Sequence, residues 1–278
     1  MQLLKVVLST EDIEKTKRAI ASCDGDCLLI VNTLNEDYIA EVENAELDCA
    51  YMVTPSNGTP GAGKQSVIDY FLNQSFYTHL TYVDADDFYL PGAFNRIEKH
   101  LEGFDYVGTI TDCFTPQRKL ISMVDWQNPR NLRKEFHKND LEQFKKFCKV
   151  MRHLIDNYTP EVIINRIVGL SKAGAEQVKF CSKLNGFDDV KVQIQLASEC
   201  AIGTIAGKIV YDNDIYLYDR SDGGGTLTKF VDNFTAEQQE IFWEGLRTDP
   251  FTDEIAYVDV LDNMTREERL KIVEAYAI

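Results

Sequence analysis

The run TYVDADDFYLPGAF, residues 81–94, sets three carboxylates, Asp84, Asp86 and Asp87, within four positions directly after the apolar segment HLTYV. Like charges that close repel one another unless a cation or hydrogen bonds compensate them. Hard oxygen donors suit Mg²⁺ or Mn²⁺, ions that proteins often hold jointly with substrate phosphates. A solvated acidic turn, or a helix N-terminus where the dipole favours Asp, accounts for the same letters without a ligand.

Upstream, NGTPGAGKQS (57–66) matches the phosphate-loop pattern G-x-x-x-x-G-K-[ST] at Gly58, Gly63 and Lys64 but has Gln65 at the last position. The phosphate loop uses a Ser or Thr hydroxyl there to hold Mg²⁺, so Gln65 counts against that chemistry. Asp84 follows Lys64 by only twenty residues, room for one helix and one strand. Without a ligand, Gly58, Gly61 and Gly63 form a turn and Lys64 opens a helix. A second acidic feature, Asp188-Asp189 in NGFDDV, reads from its own chemistry as a helix cap.

The elements around these residues alternate. Apolar runs at 3–8, 27–31, 49–54, 79–84 and 104–109 read as strands, and helical patterns fall at 11–22, 36–44, 65–74 and 91–101. Such alternation predicts an α/β fold, a mostly parallel sheet with helices on both faces, and ligands beyond the carboxyl ends of its strands. Farther on, 140–157 is an amphipathic helix with a basic outer face, EVIINRIVGLS a strand, SKAGAEQVKF and FDDVKVQIQLAS helices, and GKIVYD and IYLYDR strands. A capping box at Thr265–Glu268 opens a terminal helix.

Bulk properties narrow the class. The 278 residues are 44% apolar and 27% charged, as in a soluble globular protein, and the net charge of -16 disfavours non-specific binding to nucleic acid or anionic lipid. The N-terminus lacks a secretory pattern and no window approaches a membrane span, so a cytoplasmic location is expected. Seven scattered cysteines without a C-x-x-C pair read as reduced thiols.

Taken together, NGTPGAGKQ, a helix, a strand and then Asp84-Ala85-Asp86-Asp87 resemble the nucleotide-sugar-binding half of family 2 glycosyltransferases, which have a Rossmann-like GT-A fold. In that family N-x-G-x-x-x-A-R-N opens a helix and a later strand ends in D-x-D-D. Lys64 and Gln65 stand here in place of the arginine and asparagine. The resemblance covers residues 3–110 well and 160–225 loosely. It implies a GT-A domain over 1–225, with a donor half (1–110) and an acceptor half (111–225), followed by a helical extension over 226–278.

The resemblance also implies roles. Asp86 would ligate Mn²⁺ or Mg²⁺ with Asp87 in support, and Asp84 would contact the ribose or sugar. Ser9, Asn32, Asn57, Gly58, Lys64 and Arg220 would complete the donor site, for which a UDP-sugar is favoured. Asn32 stands where the family has an acidic residue facing the nucleotide base. Asp189 would be the general base, with Asp188 beside it, and the anomeric carbon would be inverted. Residues 127–153 carry eight Lys or Arg against three acidic residues, which suits an acidic acceptor docking on Arg133, Lys145 and Lys149. That acceptor would be a glycan, a lipid-linked glycan or a hydroxymethylated base of phage DNA. A P-loop nucleotide hydrolase or kinase and a non-catalytic nucleotide-sugar-binding module are the alternatives.

Overall fold

The structure, a computed structural model, describes residues 1–54, 59–110, 113–114, 120–121, 135–136, 165–180, 188–189, 192, 195–196, 199–200, 203–212 and 214–219. The amphipathic segment 140–157, the capping box at 265 and the extension over 226–278 lie outside the described residues.

Five strands and four helices build the first half: β1 (Leu3–Ser9), α1 (Ile13–Ala21), β2 (Leu28–Val31), α2 (Glu36–Asn44), β3 (Ala50–Val53), α3 (Pro60–Asn73), β4 (His79–Asp84), β5 (Phe88–Tyr89) and α4 (Ala93–Leu101). β6 (Tyr106–Ile110), β7 (Cys113–Phe114), β8 (Leu120–Ile121), β9 (Glu135–Phe136), β10 (Asn165–Ser171), the single turn α5 (Lys172–Ala175), β11 (Gly207–Tyr211) and β12 (Tyr216–Asp219) follow. The main sheet has the order β3-β2-β1-β4-β10-β6-β11-β9, and a smaller one has the order β5-β12-β7-β8. β3, β2, β1 and β4 are mutually parallel, as are β6 and β11, while β10 runs antiparallel to both of its neighbours.

Every residue of β2 is buried, as a strand covered on both faces requires. Val67, Ile68 and Phe71 on α3 are fully buried, each contributing about 1.5–3 kcal/mol by leaving water. β1 lies between β2 and β4, pairing Ser9 with Val31 on one side and Leu8 with Asp84 on the other. The chain therefore departs from β1 in opposite directions, and the crevice beyond the carboxyl ends of β1 and β4 is the switch point where such sheets take ligands.

Two predicted helices differ. α3 begins at Pro60 rather than at 65, because Thr59 caps it, accepting from the Ala62 N–H at 3.2 Å, and Pro60 is preset for the first turn. SKAGAEQVKF forms only the turn Lys172–Ala175, within which Gly174 lies too close to the Asp105 carbonyl to carry a side chain. Among the described residues, Cys23, Cys27, Cys49 and Cys200 are free thiols, and no helix is long and apolar enough to cross a membrane.

Candidate active site

Asp84 closes β4, and the ladder to β1 runs one step further through the Ala85 N–H, which donates to the Leu8 carbonyl at 2.8 Å. The chain then turns, with the Asp87 N–H donating to the Asp84 carbonyl at 2.9 Å. This brings one carboxylate oxygen of each of Asp84, Asp86 and Asp87 within 4.8 Å of the others. The chemistry of this donor set, all hard oxygens, fits a divalent cation.

Asp87 is fully buried and anchors the turn. Its Oδ2 accepts from Arg166 Nη2 at 2.8 Å and from the Tyr216 hydroxyl, and its Oδ1 from the Asp219 N–H at 2.8 Å. Arg166 Nη1 donates to Asp84 Oδ2, so one guanidinium bridges two of the three acids. Arg18 reaches in from α1, donating at 2.6 Å to Asp219 Oδ2 and at 2.9 Å to the Asp86 carbonyl. The acidic turn is thus held between α1, β10 and β12.

A second charged cluster faces it. Lys64 projects inward from α3 and places Nζ 2.8 Å from Asp189 Oδ1 and 2.9 Å from Asp188 Oδ2. The contact to Asp189 is a hydrogen bond, whereas that to Asp188 is an ion pair without hydrogen-bond alignment. Lys64 and Asp188 are each 5% exposed and Asp189 is 17% exposed, so Asp189 is the more open acid. Burial pushes the Asp188 carboxyl up to about 6, against the pull of Lys64 and with help from Asp189 and Asp84. Burial disfavours the charged Lys64, yet Asp188, Asp189 and Asp84 outweigh it and hold the ammonium well above the usual lysine range. The described positions of the predicted helix after 187, including Asp188 and Asp189, are helical.

Gly61 and Gly63 lie within α3, where the Gly63 N–H donates to the Thr59 carbonyl at 3.2 Å, and Lys64 points into the protein. Their helical placement contradicts a turn at these two glycines, while Gly58 lies outside the described residues. Gln65 instead ties helix to chain: its Oε1 accepts from the Phe180 N–H and its Nε2 donates to Asp69 Oδ1, both at 2.8 Å.

Ser9 and Asn32 stand at the carboxyl ends of β1 and β2. The Ser9 hydroxyl is buried between Thr16 Oγ1 at 2.7 Å and the Tyr38 hydroxyl at 2.5 Å, and the Ser9 carbonyl accepts from the Asn32 N–H at 2.7 Å. Asn32 Nδ2 donates to the Thr59 carbonyl at 3.1 Å, leaving Oδ1 buried with no hydrogen-bond partner. Such an orphan acceptor is costly unless a ligand satisfies it.

Asn57, Gly58, Arg133, Lys145, Lys149 and Arg220 lie outside the described residues. The structure brings Asp84, Asp86 and Asp87 together and joins Lys64 to Asp188 and Asp189, while Arg18, Arg166, Tyr216 and Asp219, which the sequence does not single out, hold the acidic turn. Arg166 carried one usable signal, a charge inside the apolar run IINRIVGL, where burial requires a counter-ion.

No family model matches the sequence, and no curated protein sequence matches it. Solved structures do match. Residues 1–349 of TarS from S. aureus in complex with UDP-GlcNAc align over 99% of this chain and 71% of that one, at 13% identity and a TM-score of 0.51. The same protein in complex with UDP aligns over 99% of this chain and 70% of that one, at 10% identity and a TM-score of 0.50. At this identity the likeness shows the fold, and the chain has the GT-A fold.

Proposed function

We propose that the protein is a metal-dependent glycosyltransferase that moves a sugar from a nucleotide-sugar, favouring a UDP-sugar, to an acceptor hydroxyl with inversion. The observation that carries this is the pairing of the Asp84–Asp87 turn with the Lys64–Asp188–Asp189 cluster at one switch point, where Asp84 acts electrostatically on both Lys64 and Asp188. The TarS complexes with UDP-GlcNAc and UDP, which have the same fold, support the choice of donor.

Asn32 Oδ1, the orphan acceptor, suits the N–H of a uracil edge. Ser9 holds Asn32 through its carbonyl, and its own hydroxyl packs the floor against Thr16 and Tyr38. Asp84 contacts the ribose or sugar, while Asp86, with Asp87 anchoring the turn behind it, holds Mn²⁺ or Mg²⁺. When bound, that ion offsets the charge on the departing diphosphate. Lys64 adds a buried positive charge beside the donor.

For transfer, the acceptor oxygen attacks the anomeric carbon, the bond from that carbon to the phosphate oxygen breaks, and the nucleoside diphosphate leaves with the electron pair. Asp189, the more open of the two acids, takes the hydroxyl proton. Asp188 keeps Lys64 fixed beside it. Asn57, Gly58 and Arg220 would complete the donor site, and Arg133, Lys145 and Lys149 an acidic glycan, lipid-linked or DNA acceptor.

The test is release of UDP from a panel of UDP-sugars with Mn²⁺ or Mg²⁺ in wild type and Asp189→Asn. Release that is lost in Asp189→Asn while UDP still binds supports transfer. Binding without release from any sugar, with or without candidate acceptors, would instead favour a non-catalytic binding module.

A further inference from the structure

Arg166 is an unusual presence beside a cation site. It sits on β10, the strand antiparallel to β4, and its side chain is 15% exposed. Its two terminal nitrogens engage two different carboxylates, Nη1 with Asp84 and Nη2 with Asp87, the latter at 2.8 Å. The guanidinium also lies 5.4 Å from the Tyr216 ring and 4.9 Å from the Tyr218 ring, within range of a cation–π attraction from both. Tyr216 closes the arrangement by donating its hydroxyl to Asp87. A planar fork matched to two carboxylates and flanked by two aromatic rings is a preorganised site for a guanidinium, which a lysine could not fill equally.

We propose that Arg166 is the resident counter-cation of the acidic turn, a positioning residue that keeps Asp84 and Asp87 engaged. The protein alone then holds a divalent ion weakly, and the ion arrives with the diphosphate of the donor. A mobile divalent cation and a fixed guanidinium compete for the same negative field, because like charges a few ångströms apart in a partly buried site repel strongly. Phosphate oxygens from the donor supply the ligands and negative charge that the turn has already committed to Arg166. This inference rests on the nucleotide-sugar reading only for the identity of the ligand that brings the ion.

The test is a titration with Mn²⁺, followed by the electron paramagnetic resonance signal of the free ion, on wild type, Arg166→Gln and Arg166→Lys, first without nucleotide and then with UDP. Without nucleotide, Arg166→Gln should bind Mn²⁺ at least about tenfold more tightly than wild type. Arg166→Lys, which keeps the charge but can bridge the acids less well, should fall between them. Adding UDP should tighten Mn²⁺ binding to wild type by at least about tenfold. Folded Arg166→Gln with nucleotide-free Mn²⁺ affinity equal to or weaker than wild type overturns the proposal. If Arg166→Gln does not fold, Arg166→Lys decides in the same way. A wild type that binds no UDP sinks the nucleotide-sugar reading, while the nucleotide-free arms still decide the role of Arg166.

Discussion

Lys64 Nζ donates to Asp189 Oδ1 at 2.8 Å while lying 2.9 Å from Asp188 Oδ2, so one buried ammonium spans both acids of the pair. The lysine that completes a near phosphate-loop motif therefore serves the carboxylates of a distant helix. Removing it strands two acids in a site with little water. Lys64→Met should cost about 3–5 kcal/mol of stability, the usual penalty for breaking a buried pair, measured by urea unfolding. Adding Asp188→Asn should restore part of the loss. An unchanged unfolding midpoint in Lys64→Met would mean that the pairing contributes nothing.

The acid pair should set the pH dependence of turnover. Burial, with Asp189 and Asp84 nearby, raises Asp188 to about 6 despite Lys64. Below that value a proton on Asp188 removes one of the two negative charges that hold Lys64 and loosens the cluster around the proposed base. The value of kcat/KM should therefore fall as pH drops through about 6. Asp188→Asn should move or abolish that limb, and an identical profile in the variant would assign it elsewhere.

Gly63 is a stringent test of the donor pocket. A Cβ there would lie 2.4 Å from Asn32 Nδ2 and 2.7 Å from its Cγ. In an open helix Gly→Ala stabilises by about 1 kcal/mol, but overpacking here should reverse the sign and cost about 1–3 kcal/mol. Gly63→Ala should also weaken UDP binding, because Asn32 must move. Calorimetry well below the unfolding temperature separates the two effects, and undiminished UDP affinity would remove Asn32 from the site.

Away from the site, Asp212 joins α4 to the end of β11, with Oδ2 2.9 Å from His100 Nε2 and 3.3 Å from Arg96 Nη1. Burial raises its carboxyl, but the His100 hydrogen bond, the Asp214 N–H and Arg96 outweigh burial and hold it below the ordinary 3.8. A depressed carboxylate stabilises the fold above its unfolded value, and that contribution is lost as pH falls through the lower folded value. Arg96 is 47% exposed, so solvent screening limits the effect of Asp212→Asn to about 1 kcal/mol at pH 7. The difference from wild type should shrink below pH 3.8, and a constant difference in thermal melting down to acid pH would contradict this linkage.

Much of the fold could be read from local pattern. β1, β2 and β4 are short apolar runs whose burial follows from composition, and α2 spans the 36–44 of its helical pattern, whereas the pattern at 65–74 does not reach the Pro60 start of α3. Asp84-Ala85-Asp86-Asp87 was legible because a strand ending in acids must put them at the sheet edge. The partner shared by Arg166 and Tyr216 was not, since they meet Asp87 across 79 and 129 residues and nothing in the neighbouring sequence names it. The short α5 was misread because SKAGAEQ has good helix propensity, while the close approach of Gly174 to the Asp105 carbonyl and the Ser171 hydroxyl bond to Asp105 are tertiary constraints.

Thermal stabilisation by a panel of nucleotide-sugars and ATP, with and without Mn²⁺, in wild type and Asp86→Ala separates metal-assisted nucleotide-sugar binding from its alternatives. A UDP-sugar should raise the melting temperature of wild type in the presence of Mn²⁺, and the rise should disappear in Asp86→Ala. Stabilisation by ATP alone, or by a UDP-sugar equally in wild type and Asp86→Ala, would contradict metal-assisted nucleotide-sugar binding.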